Sequence, residues 1–91
     1  MKKWKLKFTK TALEDFNKLP KNISLSVKNK LRWLKNNFDK INHLPLIGEL
    51  KGLFKLRIGD YRIIYFPDWD KRKIFILTID HRKDIYKKIK N

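Results

Sequence analysis

The run from Leu53 to Phe66, LFKLRIGDYRIIYF, constrains this chain more than any other stretch. Two short apolar-rich segments flank Gly59-Asp60, and such a pair signals a β-hairpin with a two-residue loop. Glycine at the first loop position suits a type II′ turn, because it accepts positive φ without a Cβ clash. A two-residue loop sets the register. Ile58 faces Tyr61, Arg57 faces Arg62, Leu56 faces Ile63, Lys55 faces Ile64 and Phe54 faces Tyr65. Strand side chains alternate between faces. One face therefore carries Phe54, Leu56, Ile58, Tyr61, Ile63 and Tyr65, a core face. The other carries Lys55, Arg57, Arg62, Ile64 and Phe66. Like charges directly across a strand pair destabilise it. Either this is a solvated face in a very basic chain, or a polyanion lies across it and relieves the repulsion of Arg57 and Arg62.

The wider composition bears on that choice. Across 91 residues, 24 Lys and Arg stand against 9 Asp and Glu, a formal charge of +15. That balance predicts affinity for phosphate backbones or for an acidic protein. A membrane surface is not expected as a partner, because a lipid-binding helix needs a wide apolar face left exposed. The length fits one domain spanning 1–91. A hydrophobic fraction of 42% and twelve aromatics predict a folded chain. With no cysteine there is no disulfide framework or thiolate metal site. His43 and His81 are too few for a histidine zinc site unless carboxylates complete it, so neither metal nor cofactor is expected. The lysines at the N-terminus precede no apolar signal-peptide core, and no apolar run reaches the ~20 residues of a spanning helix. A cytoplasmic location is expected.

Elsewhere the periodicities change. Lys3 to Phe8 alternates, with Trp4, Leu6 and Phe8 on one side and three lysines on the other, which predicts a half-buried strand with a protected edge. Thr11 and Glu14 fit a capping box, and Ala12, Leu13, Phe16 and Leu19 then form a helical stripe that Pro20 stops. Ile23, Val27, Leu31, Leu34 and Phe38 predict a long amphipathic helix from about Asn22 to Asn37, so two helices form an αα-hairpin. Leu25 and Trp33 lie off that stripe. They either touch the rest of the fold at its margin or form an exposed apolar strip for a partner. Asp39 to Gly52 reads as a connecting loop that tucks its apolar residues inward, with His43 an ordinary loop histidine. Pro67 to Lys71 reads as a polar connection. Lys73 to Asp80, KIFILTID, reads as a strand buried on both faces and interior to a sheet. Ile85 and Ile89 suggest a short final helix.

The fold class expected from this order is α+β. A small, mainly antiparallel sheet holds an N-terminal strand and three C-terminal strands, with the αα-hairpin packed on one face and a short C-terminal helix last. The Lys55–Arg57–Arg62 face stays open.

Two pieces together, LKGLFKLRIGDYRIIYF (Leu50 to Phe66) and LTIDHRKDIYKKI (Leu77 to Ile89), make the chain resemble the RelE/ParE toxin superfamily of type II toxin–antitoxin systems. The resemblance covers nearly the whole chain. It implies a RelE-like fold and, for the RelE-like branch, an endoribonuclease that enters the ribosomal A site, cuts mRNA there and so inhibits translation. It also implies a cognate antitoxin, here expected to be acidic. The ParE-like branch shares the fold but poisons DNA gyrase and cuts nothing. By resemblance, Lys55, Arg57 and Arg62 match the basic residues that RelE-type enzymes carry on the sheet. Arg82 matches their arginine after the last strand and Tyr86 the tyrosine beyond it. His81 falls where members carry histidine or lysine, and Arg57 stands where some have lysine.

These side chains suit RNA cleavage without a metal. The RNA's own 2′-OH attacks the adjacent phosphate, and the protein orients it, accepts a proton, stabilises the added charge and protonates the leaving oxygen. Arg62 and Arg82 suit charge stabilisation, since guanidinium contacts phosphate bidentately. Lys55 needs cationic neighbours to serve as a base, its unperturbed pKa being roughly 10.4. His81 needs no such help. Tyr86 could stack on a base or assist proton transfer. A third reading, a binding module that cuts nothing, predicts a steep salt dependence. It lacks a stacking platform beyond Phe66.

Overall fold

The computed structural model of the chain describes residues 3–46 and 52–81. The elements are β1 (Lys5–Phe8), α1 (Lys10–Lys18), α2 (Lys21–Asn36), β2 (Leu44–Pro45), β3 (Phe54–Ile58), β4 (Tyr61–Asp68) and β5 (Lys73–His81). They build one five-stranded sheet in the order β1-β5-β4-β3-β2. β1 runs parallel to β5, and the other pairs are antiparallel. The architecture is α+β, with the helices on one face of a mostly antiparallel sheet. The final helix proposed around Ile85 and Ile89 lies outside the described residues.

The hairpin has the register that its loop dictates, from Ile58↔Tyr61 to Phe54↔Tyr65. Gly59 has φ +55, and Asp60 is not in the positive-φ region. That combination matches a II′ turn. β5 is interior, between β1 and β4. The lysines of β1 line a sheet edge, where charge discourages pairing with another chain.

The N-terminus of α1 corrects the expected cap. Thr9, not Thr11, is the N-cap, with extended φ/ψ of −71°/166°. Its hydroxyl accepts the Ala12 N–H at 3.1 Å and donates to the Leu77 carbonyl at 3.0 Å. One hydroxyl thus caps the helix and ties it to β5, a task for which Thr11, already inside the helix, is misplaced. The shift rotates the buried stripe. Ala12 and Asp15 are buried, whereas Leu13 is 51% exposed.

α2 buries Val27, Leu31 and Leu34, and Phe38 follows them into the core just beyond the helix. With Trp4, Ala12, Ile63, Tyr65, Ile74, Ile76 and Ile79 these residues form the core between helices and sheet. Leu25 and Trp33 resolve as exposed, at 59% and 41%. Lys30 places its ammonium 4.4 Å from the Trp33 ring centre.

Two connections differ from expectation. The segment after α2 is not all loop, because Leu44–Pro45 pairs with Lys55 and Phe54 as an added edge strand. Leu46 then tucks in as expected, but against Ile64 on the sheet face that the helices leave uncovered, with Leu53 and Leu77 beside it. The second is Pro67, which lies inside β4 rather than in a turn. β3 pairs no further than Tyr65, so one edge of β4 is open there and a proline is tolerated.

His43 is no ordinary loop histidine. Its Nε2 lies 2.8 Å from the Phe38 carbonyl and its Nδ1 2.6 Å from the Tyr65 hydroxyl. A carbonyl only accepts, so Nε2 donates to it, and in the tautomer with its hydrogen there Nδ1 accepts from the Tyr65 O–H. Burial pushes the Tyr65 phenol well above its usual range.

Candidate functional site

Residues directly opposite across strand pairs share a face. The ladders therefore define a row across three strands: Arg57 on β3, Arg62 on β4 and Asp80 on β5. This row lies on the face away from the helices. Arg57 is exposed and Arg62 half-buried. Arg57 and Arg62 occupy directly paired positions, as the hairpin register requires. One Arg62 nitrogen donates to the carbonyls of Gly59 and Tyr61, at 3.3 and 3.2 Å. The turn thus draws the arginine toward the loop end of the hairpin. Lys55, half-buried, is two residues before Arg57 on the same face, opposite Ile64 and Leu44.

The sheet brings Lys55, Arg57 and Arg62 together and leaves His81 out. His81 is one residue beyond Asp80, and one residue along a strand reverses the side chain. It pairs with Tyr61, whose ring it meets edge-on at 5.5 Å between centroids, on the face shared with Ile58. Arg82 and Tyr86 lie outside the described residues.

Sequence reasoning missed Asp80 as a neighbour of this cluster. Its Oδ1 accepts the His81 N–H at 2.8 Å, and its register places it across from Arg62. The reason is a bulge. Ile64 pairs with Thr78, but Tyr65 pairs with Ile76, so Leu77 is an extra residue in β5. Alternation counted from Lys73 loses its parity there. The bulge is met by Asp15 of α1, whose carboxylate accepts the Thr78 hydroxyl at 2.8 Å and the Ile79 N–H at 3.0 Å. Register of the cationic row thus depends on a helix on the opposite face.

Chemically, the row offers guanidinium groups to phosphate oxygens and a primary amine nearby. Among the described residues no group of three or more His, Cys, Asp or Glu is placed to hold a metal ion. Nor is any described helix long and apolar enough to cross a membrane.

A sequence model of the family described as ParE toxin of type II toxin-antitoxin system matches residues 6–86. The Mycobacterium tuberculosis protein named toxin RelG is 36% identical over 89 residues, covering 91% of this chain and 95% of that toxin. A Methanocaldococcus jannaschii protein named putative toxin RelE1 is 32% identical, covering 93% and 97%. Among solved structures, a chain of the M. tuberculosis toxin-antitoxin complex RelBE2 superposes with a TM-score of 0.78 at 34% identity, covering 88% of this chain and 99% of that one.

Proposed function

The chain belongs to the RelE/ParE superfamily of toxins from type II toxin–antitoxin systems, and from that membership we propose that it is a ribosome-dependent mRNA endoribonuclease acting in the cytoplasm. The observation that carries the proposal is the Arg57–Arg62 pair, directly opposed across β3 and β4, with Lys55 on the same face. A fold gains nothing from two opposed guanidinium groups, whereas a phosphate between them is held by both.

In this reading the mRNA lies on the open face with the scissile phosphate at the row. The 2′-oxygen of one nucleotide attacks the adjacent phosphorus in line. The proton of that 2′-OH passes to a base, the bond from phosphorus to the 5′-oxygen breaks, and an acid protonates the departing oxygen. The products are a 2′,3′-cyclic phosphate and a 5′-OH end. Arg62 and Arg82 stabilise the charge gathering on the non-bridging oxygens, and Arg57 anchors the strand. Lys55 is the base, since it shares the face with the arginines and His81 does not. Tyr86 stacks on a base or assists proton transfer. The ribosome supplies what this small site lacks, the alignment of the mRNA in its A site.

The partner is an antitoxin, by analogy with the RelBE2 toxin-antitoxin complex, and the basic surface of this chain calls for an acidic one with an amphipathic segment. Its charge matches the basic surface, and exposed Leu13, Leu25 and Trp33 offer its apolar side chains seats on the helices.

Expression in cells tests the residue assignment. Arg62→Ala and Arg82→Ala should each abolish growth inhibition while the purified variants melt as cooperatively as the parent. Full toxicity of both would overturn it. The family description that names ParE supports a second reading, a gyrase inhibitor without nuclease activity. A supercoiling assay that responds to the protein while mRNA stays intact would establish that reading.

A further inference from the structure

Below the arginine row, the open face carries a second cluster. Phe66 on β4 stands opposite Phe75 on β5, and Phe75 stands opposite Lys7 on β1. The next row joins Asp68, Lys73 and Lys5. Both rows lie on the face away from the helices, since Leu6 and Ile74, one residue off, pack toward the core.

Phe66 is 43% exposed and Phe75 half-buried, and neither joins the helix-side core or the cluster under Leu46. Lys5 and Lys7 are exposed. The single acid of the group, Asp68, is engaged by the turn that follows, accepting the Lys71 N–H at 3.0 Å. Between this cluster and the arginines rises the apolar ridge of Leu46 over Ile64. The two clusters are separate features of one face.

An exposed and a half-buried phenylalanine paired across two strands, with Lys7 one strand-spacing of ~4.8 Å beyond Phe75 and Lys73 two residues along its strand, match one chemistry closely. Unpaired bases offer flat rings to stack on aromatic side chains, while the phosphates between them need cations. A duplex hides its base faces and could use only the lysines. An acidic peptide could use the lysines too, but has no run of flat rings to place on the phenyl groups. We propose that Phe66 and Phe75, with Lys7 and Lys73 beside them, form a stacking subsite for single-stranded RNA, apart from the arginine row. The subsite rests on the RNA-directed reading above but does not require cleavage at the row.

Fluorescence anisotropy with a labelled single-stranded RNA, and with a duplex of equal length, tests this on the purified toxin. Phe66→Ala should weaken single-strand binding about tenfold and leave duplex binding unchanged. Lys7→Ala should weaken both and reduce the slope of log affinity against log salt by about 0.7 for the single strand. Because both side chains are exposed, the variants should melt like the parent. Equal affinity for single strand and duplex, or unchanged binding in Phe66→Ala, would overturn the subsite. So would polyglutamate binding that falls in Phe66→Ala as steeply as RNA binding, since the face would then serve an acidic protein. If single-strand binding depends on Phe66 while no mRNA is cut in translation, the subsite stands and the nuclease reading fails. If mRNA is cut while Phe66→Ala binds normally, the reverse holds.

Discussion

Asp15 links the helical side of the protein to the strand that ends at the cationic row. It is buried, and its carboxylate holds both the Thr78 hydroxyl and the Ile79 N–H at the β5 bulge. Asp15→Ala leaves two buried donors without an acceptor and should lower stability by about 3 kcal/mol, measured by urea denaturation. A loss under half a kcal/mol would show that the bulge does not depend on it. Asp39 is a different case, mostly exposed at the far end of the sheet. The Arg72 guanidinium beside it, with the Trp4 indole N–H donating at 3.1 Å, holds its carboxyl below the usual range despite some desolvation. A carboxyl whose pKa is lowered by folding contributes stability above its unfolded pKa, and loses it as pH falls through the folded value. Asp39→Asn should therefore be less stable than the parent at neutral pH, with the gap in melting temperature closing as pH falls below the ordinary carboxylate range. A gap that stays constant across that range would contradict the pairing. Neither role was legible in the sequence. Asp15 looks like any acid on an amphipathic helix, because its burial depends on a cap two residues earlier than the Thr11–Glu14 pattern suggests. His43 gave no sign of its bonds to Phe38 and Tyr65, because they depend on how the connection after α2 folds back and on a strand 22 residues away.

At the scale of elements, local rules carried furthest where the chain turns back on itself most tightly. The hairpin register followed from Gly59-Asp60 and alternation alone, since a two-residue loop leaves no freedom to slip. A Cβ at Gly59 would meet nothing within 4 Å, so Gly59→Ala tests backbone conformation alone. It should cost about 1–2 kcal/mol from the positive φ. The same hairpin opposes Arg57 to Arg62. Arg57→Thr should raise stability by about half a kcal/mol by removing that repulsion, and should reduce growth inhibition at the same time. A variant that is less stable yet fully toxic would show that the opposed arginines serve the fold. Non-local elements were less legible. The strand Leu44–Pro45 exists because β3 offers an edge, not because two residues have a strand-like composition. The β5 bulge is imposed from outside the strand, by Asp15 and by the end of β1 pairing at Ile76. It concealed Asp80's place beside Arg62.

Taken as a whole, the molecule has two unlike faces on one sheet. The helices bury one. The other is crossed by a row of Arg57, Arg62 and Asp80, a ridge of Leu46 on Ile64, and a lower cluster of Phe66, Phe75 and lysines. The α+β class and the burial of the hairpin's core face were legible because they rest on periodicity. The division of the open face was not, because the ridge comes from a connection whose destination composition does not reveal. The net charge of +15 suits the proposed function, in which electrostatic steering brings the protein to RNA. The measurement that tests the central claim most directly is primer extension on mRNA after translation in vitro with the purified protein. Naked mRNA and the Arg62→Ala variant serve as controls. The account predicts cuts within codons that appear only when ribosomes translate and that vanish in the variant. Intact mRNA at protein levels that stop growth would contradict it.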